Sequence, residues 1–243
     1  MNASRIEFRF RMPINFVIVM LGFAAPWIET LGIGKRNSTL EWLALELSRM
    51  GLASFTVATN ALIAVAALIA AAGATMRVWG TAYLGPATVN SLNMRAGTVM
   101  ADGPYRYVRN PLYLGLWLMV VAMAFLMPPT GALVALTLLT IFLVRLILGE
   151  EAFLAPQLGE PYRAYLQAVP RIVPRFGSSL SGTGAKADWL RALAAEMTPV
   201  GVFLAFAAFS WSYDHQLMMR VILICLGISI VTRALMPGVV QEE

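Results

Sequence analysis

Apolar and polar segments alternate along the whole chain, and the apolar ones are long. Six of them approach the roughly 20 residues that a helix needs to cross a bilayer. They cover residues 13–33, 51–73, 111–127, 131–148, 198–213 and 217–236. The pattern predicts an all-α fold, a polytopic transmembrane helical bundle with about six spanning helices.

The connections between these runs predict two helical hairpins. Only residues 128–131, which comprise two prolines, a threonine and a glycine, separate the third run from the fourth. Proline cannot continue a helix and glycine favours its end, so these residues predict a tight antiparallel turn. Residues 214–216 form the only clearly polar cluster between the last two runs, and we expect a second hairpin there.

The composition supports a membrane protein. Charged residues make up 13% of the 243-residue chain and hydrophobic residues 59%, whereas a soluble domain has roughly 25% charged residues. The net charge of +5 is explained by basic residues that flank spans, so we expect no nucleic-acid partner. The single cysteine, Cys225, excludes an intramolecular disulfide and a cysteine metal site, and we predict no bound metal.

The basic residues are distributed unequally between the two sides of the predicted bundle. With the N-terminus in the cytoplasm, the cytoplasmic segments contain Arg5, Arg9, Arg11, Arg77, Arg95, Arg106, Arg109, Arg163, Arg171, Arg175, Lys186, Arg191 and Arg233. The opposite side keeps Lys35, Arg36 and Arg49, with Arg220 near an end. Because cytoplasmic loops are enriched in Lys and Arg, we predict an integral protein of a bacterial inner membrane with both termini and the site in the cytoplasm.

Polar side chains gather where the third predicted helix begins. Asn110 and Pro111 are favoured at the N-cap and first helical positions, so by themselves they need no functional explanation. Arginines and tyrosines crowd the same entrance, at Tyr105, Arg106, Arg109 and Tyr113. A helix N-terminus beside guanidinium groups binds anions such as carboxylates.

Glu150 and Glu151 follow the fourth predicted helix. Acids near the C-terminal end of a helix oppose its dipole, and adjacent carboxylates repel each other, so this pair needs compensating partners. The hairpin would bring Arg106 and Arg109 close, and Arg145 lies about one and a half turns earlier. A solvent-exposed acid pair is the alternative interpretation.

Three segments of this region resemble a known superfamily. They are residues 103–115, Arg145 with the pair Glu150 and Glu151, and residues 158–171. Their combination resembles the integral-membrane methyltransferases of the isoprenylcysteine carboxyl methyltransferase and phospholipid methyltransferase superfamily. The resemblance covers about residues 51–176, and it leaves the first helix and the last hairpin outside.

The resemblance implies that the cofactor S-adenosylmethionine binds at the cytoplasmic ends of the hairpin helices. Asn110 stands where the family motif has a histidine, although an amide still caps a helix and forms hydrogen bonds. The residues carried over for catalysis are Arg109, Tyr113 and Glu151. Those carried over for cofactor binding are Tyr105, Arg106, Asn110, Pro111, Leu114, Gly115, Glu150 and Glu151.

The function that these observations favour is S-adenosylmethionine-dependent methyl transfer to a lipophilic acceptor in the bilayer. We favour O-methylation of a carboxylate, because arginines at the helix entrance would repel an ammonium group. N-methylation of a phospholipid amine is the alternative within the superfamily. A non-catalytic scaffold or a transporter would explain the hydropathy, but it would leave the glutamate pair unexplained. The sequence leaves the oligomeric state open.

The chain divides into four predicted parts. Residues 1–50 hold an interfacial segment, the first spanning helix and an outer loop. Residues 51–176 form the methyltransferase core, residues 177–188 a linker rich in glycine and serine, and residues 189–243 a C-terminal transmembrane hairpin.

Overall fold

A computed structural model describes residues 3–24, 37–90, 99–175, 182 and 184–235. All regular structure within these ranges is helical, which confirms the all-α prediction. The helices are α1 (Arg5–Arg9), α2 (Arg11–Ala24), α3 (Thr39–Arg49), α4 (Phe55–Leu84), α5 (Pro86–Asn90), α6 (Pro111–Ala124), α7 (Pro129–Ala168), α8 (Trp189–Ala195), α9 (Met197–Ser212) and α10 (His215–Leu235).

Among the residues that the structure describes, three helices, α4, α7 and α10, are long and apolar enough to cross a membrane. The bent pair α8 and α9, which meet at 72°, raises the number to four if it forms one span. The apolar helices α2 and α6 have 14 residues each, about 21 Å, against a hydrocarbon core of about 30 Å. The predicted count of about six spans is therefore not confirmed. Residues 25–33 of the first predicted run lie outside the described residues.

Both predicted hairpins are present. Along the α6–α7 hairpin, Trp117 Nε1 donates a hydrogen bond of 3.0 Å to Thr140 Oγ1. Met127 lies in the turn, which ends where Pro128 and Pro129 start α7. In the α9–α10 hairpin the turn residue Tyr213 adopts a left-handed conformation. The Asp214 carboxylate accepts hydrogen bonds from the first backbone N–H groups of α10.

Two helices extend further than the sequence predicted. The first, unbroken part of α7 runs from Pro129 to Leu158, about 45 Å, so Glu150 and Glu151 lie about two turns inside it and not at its end, where we predicted them. Its geometry breaks only at Gly159, where φ is 63°. Helix α4 likewise continues through Arg77 to Leu84, beyond the predicted run that ends at residue 73. Both helices are longer than their apolar runs, because an apolar run marks the part of a helix suited to lipid and not its whole length.

Helix α3 marks the end of the bundle opposite the motif. A capping box begins this helix, since Ser38 and Glu41 each accept a hydrogen bond from the other's backbone N–H. The N–H groups of Thr39 and Leu40 donate to the carbonyls of Met127 and Phe125 in the α6–α7 turn. The start of α3 therefore lies at the turn of the α6–α7 hairpin.

Helix α4 is the centre of the packing, with α3, α6, α8 and α9 against it. Helices α4 and α6 approach closely at Gly73 and Gly115, where an added Cβ on either would come within 3 Å of the other's carbonyl oxygen. Glycine there allows two backbones to touch. The division into parts remains a prediction, and half of the predicted linker, residues 177–181 and 183, lies outside the described residues.

Candidate active site

The site lies where the start of α6 faces the middle of α7. A turn of 3₁₀ helix at Gly103–Arg106 and an extended stretch bring the chain to Pro111, which begins α6 as predicted. Asn110 occupies the N-cap position, but its side chain does not cap the helix. Its Nδ2 instead donates to the Arg171 carbonyl at 3.0 Å.

A cavity of about 640 Å³ opens beside this junction. Its polar end is lined by the motif residues Tyr105, Arg109, Asn110, Pro111, Tyr113 and Glu150. The rest is lined largely by apolar residues of α2, α6, α9 and α10. A mainly apolar cavity with a few convergent polar groups is the usual form of a ligand site.

Glu150 faces into this cavity from α7. It accepts a hydrogen bond of 2.6 Å from the Tyr113 hydroxyl of α6, and this is the one side-chain hydrogen bond it receives within the described ranges. A buried carboxylate needs a positive or donating partner to be stabilised. Glu150 is therefore placed to bind the cationic part of a ligand.

Glu151 points to the other side of α7, toward two arginines. Its Oε1 lies 3.0 Å from Arg109 Nη1 and its Oε2 lies 2.7 Å from Arg171 Nη2. The adjacent carboxylate raises the pKa of Arg171 above its usual range, chiefly through this hydrogen bond. The predicted proximity of Arg109 to the glutamate pair is confirmed. Arg145 was also considered a partner, but it binds Glu7 of α1 at 2.9 Å.

The segment after α7 folds back over the motif. The Arg109 N–H donates to the Pro170 carbonyl at 2.9 Å, and the Arg175 N–H donates to the Tyr107 carbonyl at 3.0 Å. Tyr165 adds a hydrogen bond from its hydroxyl to the Tyr105 carbonyl at 2.9 Å. Residues 105–110 are thus held by backbone and side-chain contacts from the end of α7.

Two buried donors of the motif have no hydrogen-bond partner within the described structure, Tyr105 OH and Arg109 Nε. Burial raises the pKa of Tyr105 well above its usual value, so the hydroxyl keeps its proton. Buried polar groups in native proteins are nearly always satisfied. These two, both on cavity-lining residues, fit a ligand with accepting groups.

The other predicted residues lie around the cavity without lining it. Arg106 is in the 3₁₀ turn, Leu114 and Gly115 are in the first turns of α6, and Glu151 is on the far side of α7. Gly115 is packed against Gly73 and Arg77 of α4. Their assigned roles remain predictions.

The sequence reasoning missed an ion pair whose two members both line the cavity. Arg77 of α4 binds Glu196 at the α8–α9 bend through two hydrogen bonds, of 2.6 and 2.9 Å. The Thr81 hydroxyl donates to the same carboxylate at 2.7 Å. Both charges are nearly buried, with side chains 13% and 3% exposed. An arginine within an apolar helix and a lone acid before an apolar run were signals that could have suggested this pair.

The comparisons with known proteins agree with the motif. Residues 55–160 match the family model described as phospholipid methyltransferase. No curated protein and no solved structure matches the chain. The matched residues include α6, Glu150 and Glu151, but not Glu196 or α2. The part of this chain that holds most of the site thus matches a membrane methyltransferase family, which confirms the resemblance to the superfamily.

Proposed function

We propose that this protein transfers a methyl group from S-adenosylmethionine to a lipophilic acceptor within the membrane. The observation that carries the proposal is the cavity. One end is made of motif residues with a buried carboxylate and unpartnered donors, and it continues into an apolar space between membrane helices. A cofactor with cationic and anionic groups fits the first part, and a lipid fits the second.

The proposed roles follow from the contacts. Glu150, oriented by Tyr113, would bind a cationic group of the cofactor, and Arg109 Nε and Tyr105 OH would donate to its polar groups. Glu151 would act as a positioning residue that holds Arg109. The bound cofactor supplies an electrophilic methyl group on its sulfonium. The chain's residues then align the two ligands and exclude water, because this displacement needs neither metal nor covalent nucleophile.

The arrangement of α2 and α10 supports lateral access for the acceptor. Phe16 and Met20 of α2 and Ile222 and Leu226 of α10 line the cavity from opposite sides. Helix α2 packs mainly against α7, and α10 packs mainly against α9. A lipid tail would pass between α2 and α10 while its head reaches the polar end.

Two acceptor classes have support from different observations. Three arginines line the cavity, Arg11, Arg77 and Arg109, against two glutamates, and this excess of positive charge favours a carboxylate acceptor. The amine alternative is favoured by the match to a phospholipid methyltransferase family. It gains further support because Arg77 and Arg109 are already neutralised by glutamates.

One labelling experiment tests the function and separates the two acceptors. Purified protein is incubated with methyl-labelled S-adenosylmethionine and a total lipid extract, and the labelled lipid is then treated with alkali. A methyl ester releases volatile methanol, whereas an N-methyl group is stable. Label that is released supports the carboxylate, and stable label supports the amine. Absence of label in the lipid fraction, together with no binding of S-adenosylhomocysteine, would overturn the methyltransferase proposal.

We also propose that the site faces the cytoplasm, on the strength of the distribution of basic residues. Asn37 precedes α3 at the hairpin turn, whereas the exposed Gln157 lies beyond Glu151 on α7. Single cysteines at these positions, in a Cys225→Ala background, should react with an impermeant reagent from opposite sides, with Gln157→Cys protected in intact cells. Labelling of both from one side would contradict the topology.

A further inference from the structure

Asn15 is a polar residue in an otherwise apolar stretch of α2. After Arg11 at its start, it is the only polar side chain in this helix. It is 8% exposed and it lines the cavity. Polar groups are costly within membrane helices, and they usually mark a ligand path.

The amide oxygen of Asn15 has no hydrogen-bond partner within the described ranges, and neighbouring atoms cover it. A buried carbonyl oxygen without a partner is rare and unfavourable in a native structure. The terminal torsion of asparagine is broad, so the amide can rotate and turn this oxygen toward the cavity that Asn15 lines. A hydrogen-bond donor on a ligand would satisfy it.

The depth of Asn15 distinguishes it from the motif residues. Gly22 of α2 lies against Ala135 of α7, and the N–H of Ala3 donates to the Arg145 carbonyl, so the two helices run antiparallel. Seven residues, about 10 Å of helix, separate Asn15 from Gly22, which brings Asn15 to the level of Phe142 on α7. Glu150 is eight residues, about 12 Å, further toward the polar end.

We propose that Asn15 binds the methyl acceptor by accepting a hydrogen bond from an N–H or O–H group near the acceptor's polar head. This rests on the proposed function, because a cofactor at Glu150 and Arg109 leaves the deeper wall of the cavity to the second ligand. The acceptor is then a lipid with an amide or hydroxyl group where its head meets its tail. A lipid whose head and tail are linked only through ester bonds lacks this donor.

Two pairs of lipids test this preference on the detergent-solubilised full chain without cofactor. N-palmitoylglycine and O-palmitoylglycolate share a carboxylate but differ in the N–H donor. Ceramide phosphoethanolamine and diacyl phosphatidylethanolamine share a head group but differ in the amide and hydroxyl donors. The wild type should bind the donor-bearing member of at least one pair about tenfold more tightly, the scale of one buried hydrogen bond.

The variants decide whether Asn15 is responsible. Asn15→Leu should bind both members of that pair equally while its affinity for S-adenosylhomocysteine is unchanged, and its stability without ligand should be unchanged or higher. Asn15→Asp retains acceptor oxygens and should keep the preference. Asn60→Leu is the matched control, because Asn60 is exposed on α4, outside the cavity lining, and accepts a hydrogen bond from Tyr213.

The outcomes separate this proposal from the proposed function. A wild type with no preference in either pair, including one that binds none of the lipids, overturns the role of Asn15. A preference that survives in Asn15→Leu, or a marked loss of its stability without ligand, overturns it as well. Failure of the wild type to bind S-adenosylhomocysteine would instead contradict the proposed function, since the lipid preference is measured without cofactor.

Discussion

Glu150 and Glu151 are neighbours in the chain but belong to different environments. Glu150 lines the cavity and is hydrogen-bonded by the neutral Tyr113. Glu151 lies outside the cavity lining, between Arg109 and Arg171. Successive residues of an α-helix point about 100° apart, so the two carboxylates face different surroundings. We therefore propose a ligand-binding role for Glu150 and a positioning role for Glu151, and not one shared site.

The largest expected effect is on stability, in Glu151→Gln. Removing this charge leaves Arg109, which is 12% exposed, and the half-exposed Arg171 without their carboxylate. Because Arg171 is half exposed to solvent, we expect a loss of about 2–3 kcal/mol, between the values for exposed pairs and for broken buried pairs. Denaturant unfolding in detergent measures it. Glu160→Gln, at an exposed position of the same helix, should change stability by less than about 0.5 kcal/mol. Equally small losses of stability in Glu151→Gln and Glu160→Gln would contradict a structural role of Glu151.

Glu150→Gln should show the opposite behaviour. Because Glu150 has no ion-pair partner in the described structure, its loss should leave stability within about 0.5 kcal/mol of wild type. Affinity for S-adenosylhomocysteine should fall by on the order of tenfold, as for a lost charge-assisted hydrogen bond. Isothermal titration measures this, with Glu160→Gln again as the control. Unchanged affinity in a folded Glu150→Gln protein would contradict the assignment of Glu150 to the ligand.

Asn110 tests whether other contacts beside Glu151 also hold the motif segment in place. Its side chain donates to the Arg171 carbonyl and so ties residues 105–110 to the segment after α7. Asn110→Ala should cost about 1 kcal/mol, the net contribution of one hydrogen bond. Asn110→His, which restores the residue of the family motif, should recover part of it, because imidazole is also a donor. The measurement is the same unfolding experiment, and a neutral Asn110→Ala would show that this bond does not hold the segment.

The smallest effect concerns a third acid, Glu7, which is paired with Arg145 on α7 at the surface. Hydrogen bonds from Arg145 and from the Ser4 N–H lower the pKa of Glu7 from 4.5 to about 2. A lowered folded-state pKa stabilises the protein above pH 4.5, and this contribution is lost as the pH falls toward 2. We expect about 1 kcal/mol or less for this partly exposed pair. Stability measured between pH 5 and 2 should depend less on pH in Glu7→Gln, and an unchanged dependence would contradict the assignment.

Much of the fold could be predicted because it depends on local chemistry. The prolines at 128–129 end the turn of one hairpin, and the Ser38–Glu41 capping box starts α3. These features act within one or two helical turns, so the sequence alone reveals them. The number of spans could not be predicted in the same way. Helix length depends on contacts beyond the lipid, as in α7, which continues past Glu150 as far as the break at Gly159.

The sequence by itself determined the class of the protein, the two hairpins and the segment that carries the motif. Only the tertiary structure decided which charges meet. Arg77 and Glu196 are 119 residues apart, and they pair because α4, α8 and α9 pack together. Asn15 reaches the cavity because α2 packs on α7. A polar group in an apolar interior must be satisfied by whatever lies opposite it, and helix packing determines what that is.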